Sequence, residues 1–207
     1  MSQFFQIHPV NPQARLITQA VAIVRAGGVI VYPTDSAYAI GCHLGDKAAL
    51  ERIRRIRKLD NDHNFTLVCR DLSELGTYAR VNNSVFRLIR NHTPGPYTFI
   101  LKATEEVPRR LLHPKRRTIG LRVPENRIAL DLLEALGEPL MSVTLMLPGD
   151  ELPMTDPELI RERLEREVDL VIDGGICGHE PTSVIDLADD VPVIVRQGRG
   201  DIAPFES

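Results

Sequence analysis

Apolar residues recur along this chain in two rhythms. After Asn11-Pro12, a capping oxygen with a proline at the first helical position, Leu16, Ile17, Ala20, Val21, Ile23 and Val24 return at helical spacing. Gly27-Gly28 closes that run, and VIVYP (29–33) reads as a strand buried on both faces. Asp46 can cap a helix reaching about Lys58, with one apolar stripe and a very basic opposite face. FTLVC (65–69) is a strand, and DLSE (71–74) has capping-box spacing and opens a short helix. A helix from Ser84 to about Asn91 is closed by TPGP. YTFILKA, TIGLRV and LMSVTLML read as strands, and Asn126 to Leu136 as a helix ending at Gly137. DPELIRERLEREV has an acidic first turn and is a helix; DLVIDGG, TSVIDL and VPVIVRQG follow as three short strands.

The class is α/β. Several strand connections are too short for a parallel crossover, so the sheet is expected to be mixed. The Pro/Gly stretches at 93–96 and 148–157 read as loops, not linkers, so residues 1–207 form one domain with a core over about 12–200. With 43% apolar and 26% charged residues the chain is of ordinary globular type, and a net charge of -3 does not mark a nucleic-acid binder. Cys42, Cys69 and Cys177 lie far apart without a C-x-x-C pair, which argues for reduced, partly buried thiols rather than disulfides or a zinc site. No basic start with a long apolar run and no membrane-length segment is visible, so a cytoplasmic protein is expected.

The common phosphate-cradling loops, G-x-x-x-x-G-K-[ST] and G-x-G-x-x-G, are absent, as are H-E-x-x-H and G-x-S-x-G. A site must therefore be assembled from several strand ends. Two basic clusters are candidates for phosphate contact. Arg52, Arg54, Arg55, Arg57 and Lys58 line one helix, and Arg109, Arg110, Lys115, Arg116 and Arg117 surround a proline-bounded turn with no acidic residue between 107 and 124. The alternative for both is solvated surface charge. Arg122 and Arg196 end apolar strands, where a charge needs a partner: either a structural ion pair or an anionic ligand. Asp35, in the polar stretch after VIVYP, is either a catalytic carboxylate or an acceptor for turn N–H groups.

GGVIVYPTDSAYAIGC, TPGPYTFILKA, TIGLRVP, PTSVIDL and VIVRQGRG, in this order, resemble the YrdC/YciO family, with HNFTLVCRDLSEL and TPGPYTFILK closest to its YciO branch. The resemblance implies a YrdC/RibB-like twisted mixed sheet with flanking helices around a large basic concave cleft. It also implies the threonylcarbamoyl-AMP synthase activity of the YrdC branch, linked to tRNA modification. There the amine of L-threonine takes up bicarbonate, the carbamate oxygen attacks the α-phosphate of ATP, and diphosphate leaves. Mg²⁺ would accompany ATP, with no metal held by the protein itself. Double-stranded RNA or tRNA is the implied macromolecular partner. An RNA-binding protein without synthase activity and a hydrolase of a related adenylate are the rival readings.

By position, the resemblance assigns Thr34, Thr98, Arg122 and Ser183 to the substrate pocket and Arg57, Thr144 and Arg196 to the nucleotide. The basic residues Arg54, Arg55, Lys58, Arg109, Arg110, Lys115, Arg116 and Arg117 are the RNA candidates. Two motifs depart from the YrdC branch. Its K-x-R is Arg57-Lys58-Leu59 here, its next lysine falls near His63, and its S-x-N is Thr144-Leu145-Met146. Methionine cannot donate as asparagine does.

Overall fold

The computed structural model describes residues 1–60 and 63–206. In chain order the elements are β1 (Gln3–Gln6), α1 (Ala14–Arg25), β2 (Ile30–Tyr32), β3 (Ala39–His43), α2 (Lys47–Arg57), β4 (Thr66–Val68), α3 (Leu72–Tyr78), β5 (Ala79–Arg80) and α4 (Asn83–Asn91). β6 (Tyr97–Ala103), β7 (Thr118–Arg122), α5 (Arg127–Leu136), β8 (Leu140–Thr144), α6 (Pro157–Leu164), β9 (Leu170–Asp173), β10 (Ser183–Asp186) and β11 (Val193–Arg196) follow. The strands form one sheet in the order β1-β9-β2-β3-β8-β4-β7-β6-β10-β11, with β5 beside β6. It is mixed, as expected: β4–β7 and β6–β10 are parallel, while β3–β8, β4–β8 and β6–β7 are antiparallel.

Most helix starts follow the capping chemistry of the sequence. Asp46 accepts from Ala49 N at 2.8 Å, Asp71 from Glu74 N at 2.8 Å, Asn126 from Ala129 N at 3.0 Å. α5 ends at Gly137 with φ 77°, a left-handed conformation that glycine adopts without strain. Three expectations shift. α1 begins at Ala14, and Asn11 does not cap it; the Asn11 N–H instead donates to His8 Nδ1 at 3.0 Å in a preceding turn. Asn82, not Ser84, caps α4, accepting from Val85 N at 2.8 Å. α6 stops at Leu164, because Glu167 and Val168 turn back onto its carbonyl. That turn delivers Asp169, which accepts from Val29 N at 2.7 Å and Arg52 Nη1 at 2.8 Å.

Two hydrophobic clusters cover the sheet. On one face Leu67, Phe99, Leu101, Ile119, Leu121 and Met141 pack with α2, α4 and α6. On the other, α1 and α5 close over Ile30, Tyr32, Leu170 and Ile172 of the central strands β2 and β9. Burying each such large side chain contributes about 1.5–3 kcal/mol. α1 and α5 cover the β2, β3 and β9 side of their face and reach Leu140 of β8 and Val68 of β4. The same face of β8, β4, β7, β6 and β10 carries Ser142, Thr66, Gly120, Thr98 and Val184, and these line a cavity.

Candidate functional site

The cavity holds about 540 Å³ and is lined by alternate residues of adjacent strands. Thr66 and Val68, Thr98 and Ile100, Gly120 and Arg122, and Ser142 and Thr144 are its i, i+2 pairs. Register places Ser142, Thr66 and Gly120 side by side across β8, β4 and β7, with Ile100 next on β6. Gly120 is required there: a Cβ would lie 2.8 Å from Thr66 Oγ1 and 3.0 Å from Phe65 O. The floor is therefore flat, small and rich in hydroxyls. Tyr32 supports it from the side, across Gly41, donating to Ser142 Oγ at 2.7 Å, and burial pushes its phenol up to about 12, so it stays neutral.

Arg122 marks one group of the lining. It is 6% exposed and forms an ion pair with Asp35, its Nη2 donating to Oδ1. The same nitrogen reaches Thr34 Oγ1 at 3.4 Å. Thr34 Oγ1 also accepts from Ser36 N and Ala37 N, each at 3.2 Å, and donates to Ala37 O at 2.5 Å. Its hydroxyl thus holds the turn together, and Ser36 and Ala37, not Thr34, line the cavity. Arg122 Nε and Asp35 Oδ2 are buried without a hydrogen-bond partner. The segment after β9 clamps this turn from outside. Tyr38 Oη donates to Gly175 O at 2.6 Å, and Cys177 Sγ lies 3.7 Å from Thr34 O. Burial raises the Cys177 thiol to about 11, which keeps it protonated at neutral pH.

Arg57, His63 and Arg196 mark the second group. Arg57 stands at the end of α2 with Nε buried and unpartnered. Burial draws its pKa down from the ordinary arginine value. Arg196 donates from Nε and Nη2 to Thr182 O at 3.1 and 2.8 Å, and Thr182 Oγ1 lies 2.8 Å from Thr98 Oγ1. Val184 pairs with both Thr98 and Arg196, so β6, β10 and β11 bring these residues into one row. Arg122 and Arg196 stand three strand steps apart, about 14 Å at ordinary strand spacing. Among the described residues, Asp60 is the carboxylate in the lining.

The structure thus gathers Thr98, Arg122, Arg57, Thr144 and Arg196 of the predicted residues around one cavity. Ser183 stays outside it. It is fully buried, donating to Gly200 O at 2.5 Å and accepting from Gly198 N at 2.9 Å, so it ties the C-terminal segment to β10. Its neighbour Thr182 takes the cavity position. Leu59 packs against the core. Among the described residues, Ser36, His63, Thr66, Ser142 and Thr182 join the site without having been assigned to it.

The predicted RNA residues divide. Arg54 lays its guanidinium over the Phe65 ring, 4.9 Å from the centroid, while Arg55 and Lys58 are exposed. In the second cluster Arg116 pairs with Asp186 and lies 3.6 Å from Asp189, and Arg110 donates to Gly45 O. The acidic gap in the sequence is therefore filled in space by the end of β10. Arg109, Lys115 and Arg117 remain exposed.

The family model described as telomere recombination (Sua5, YciO, YrdC) matches residues 22–198. YciO of Escherichia coli K12 is 67% identical over 205 residues, covering 99% of this chain and all of the relative. Its crystal structure superposes with a TM-score of 0.97 over the whole of both chains. The threonylcarbamoyl-AMP synthase of Vibrio vulnificus YJ016 is 27% identical over 186 residues, 88% of this chain and 98% of the relative. Pyrococcus abyssi Sua5, solved in complex with L-threonine, is 25% identical with a TM-score of 0.87, covering 95% of this chain and 58% of that one. With its full-length match and one mixed α/β sheet, the chain belongs to the Sua5/YciO/YrdC family.

Proposed function

We propose that this protein binds a nucleotide and a small amino-acid-like carboxylate in one cavity and performs adenylyl transfer of the threonylcarbamoyl-AMP synthase type, weakened at its phosphate end. One observation carries the reading: a single hydroxyl-floored cavity presents Arg122 in one group and Arg57, His63 and Arg196 in another. The spacing between the groups suits a ligand with a carboxylate at one end and a phosphate at the other. The L-threonine complex of Pyrococcus abyssi Sua5 supports the amino-acid end.

In this reading Arg122 receives the carboxylate through its unpartnered Nε edge, with Asp35 fixing the guanidinium from behind. Thr34 and Ser183 act indirectly, Thr34 by shaping the turn that presents Ser36 and Ser183 by anchoring the segment after β11. Arg57, Thr144 and Arg196 face the nucleotide. The carbamate oxygen bonds to the α-phosphorus as the bond to diphosphate breaks. Each preorganised donor at such a centre is worth about 2.7–4 kcal/mol. Met146 in place of asparagine and Leu59 in place of arginine remove two of them, so turnover is slow.

Among the described residues no cluster of three or more His, Cys, Asp or Glu side chains could hold a metal. Mg²⁺ would enter on the phosphates of ATP and neutralise their charge there. No described helix is long and apolar enough to cross a membrane. The link to tRNA modification carries with it the cytoplasmic setting expected from the sequence.

Calorimetric titration with ATP and with L-threonine, followed by a diphosphate-release assay with bicarbonate, tests this reading. Binding of both ligands with slow release supports it; a folded protein that binds neither ligand overturns it. A second reading, RNA binding without chemistry, rests on exposed Arg109, Lys115 and Arg117.

A further inference from the structure

His63 is set apart from the arginines around it because its charge is adjustable. It lines the cavity, its ring edge-on to Phe65 with centroids 5.5 Å apart. Among the described residues, the charges that bear on it are Arg57 and Arg54 from α2, Asp60 from the segment after α2, and Arg196 from β11. Partial burial is the larger influence, and among the described residues Arg57, Arg54 and Arg196 add to it against Asp60. Both hold the imidazole neutral, with its pKa below the ordinary value of 6.5. Beside it, Arg57 Nε is a buried donor with no acceptor. A neutral ring among cations, next to an unanswered donor, is a place where one proton and one multiply charged anion stabilise each other.

We propose that the Arg57–His63–Arg196 end of the cavity is a site for the terminal dianion of a phosphate monoester, and that His63 is its specificity-determining residue. When the dianion binds, the free ring nitrogen of His63 takes a proton from solvent and donates it in a hydrogen bond to a phosphate oxygen. The phosphate keeps both negative charges, and no covalent bond is made or broken. A phosphodiester carries one charge and offers the ring less to offset its cationic neighbours, so it binds without completing the proton uptake. The site therefore favours a nucleoside monophosphate, or the terminal phosphate of a longer nucleotide, over the diester backbone of RNA. This inference rests on the nucleotide reading above and adds to it the ligand's charge state and the residue that reads it.

The test is calorimetry of the full chain with AMP at pH 7.5, where a phosphate monoester with a second pKa of about 6 is largely dianionic. Titrations run in two buffers of different ionisation enthalpy report the protons exchanged. Net uptake is expected, with affinity rising toward tenfold for each unit by which the pH falls while His63 is the group that titrates. His63→Gln should abolish the uptake and weaken AMP about tenfold. His63→Lys should keep the affinity without uptake. Cyclic AMP, a diester with the same base and sugar, should bind more weakly and without uptake. AMP binding without proton uptake overturns the inference, as does uptake that survives in His63→Gln or that cyclic AMP reproduces. If neither the parent nor the variants bind AMP, the nucleotide reading itself fails.

Discussion

Arg122 and Asp35 form a buried ion pair in which each partner keeps one unsatisfied atom, Nε on the arginine and Oδ2 on the aspartate. Removing one partner leaves an uncompensated buried charge, at a cost of about 3–5 kcal/mol, whereas removing both can be nearly neutral. Urea unfolding should show Asp35→Asn as strongly destabilised and the double variant Asp35→Asn with Arg122→Met as close to the parent. A carboxylate ligand should also rescue Asp35→Asn: L-threonine should raise its Tm more than it raises that of the parent. Equal shifts would place the ligand carboxylate away from Arg122.

Gly120 and Thr66 are adjacent on the cavity floor. Gly120→Ala brings a methyl group to 2.8 Å from Thr66 Oγ1 and 3.0 Å from the Phe65 carbonyl. The backbone oxygen cannot rotate away, so overpacking should cost about 1–3 kcal/mol. The denaturant midpoint should fall at unchanged slope, and nucleotide affinity should fall with it. An unaltered midpoint would mean that β4 and β7 are not packed as described.

Ser183 bridges Gly198 N and Gly200 O. Ser183→Ala leaves the buried Gly200 acceptor without that partner, worth about 1–3 kcal/mol, and frees the part-buried Gly198 N–H. Hydrogen exchange should speed up at residues 198–200, while threonine affinity changes little. A selective loss of threonine binding with unchanged exchange would show direct contact instead.

His63 also sets a pH dependence of stability. Its folded pKa lies below the unfolded value. The unfolded chain therefore binds more protons as the pH falls through 6.5, and the native state loses stability between that point and the folded pKa. Compared with His63→Gln, the parent should lose stability as the pH drops from 7.5 to 5.5. Parallel stability curves would contradict the depressed pKa.

The exposed Arg109, Lys115 and Arg117 distinguish RNA binding from nucleotide binding. Replacing all three with Ala should flatten the salt dependence of RNA affinity by about one unit of log–log slope for each phosphate left without its cation. AMP affinity should be unchanged. RNA binding that is unaffected removes the second reading.

The class, the helix order and most strands were legible because capping residues and buried apolar runs are local signals. β1 and β3 were not. β1 is a short edge strand, and Ala39–His43 is a continuous buried run with no alternation to mark it. The strand-end arginines could be read as cavity residues because a charge on an apolar strand demands a partner, although only Arg122 is buried in the fold. Thr34 and Ser183 could not be told from Ser36 and Thr182, since in each case the choice depends on which hydroxyl the turn or the C-terminal segment uses. Thr66, Gly120 and Ser142 gain their meaning only from register, which no single strand encodes. The acidic gap around Arg116 was real in sequence and closed in space by Asp186.

The central claim is that one cavity has two independent charged ends. Calorimetric titration of the parent, of Arg196→Ala and of the Asp35→Asn with Arg122→Met double variant, each with L-threonine and with AMP, tests it most directly. The account predicts that Arg196→Ala loses AMP affinity and keeps threonine, and that the double variant does the reverse. If both ligands are lost together in either folded variant, or if neither ligand binds the parent, the two-ended cavity is contradicted.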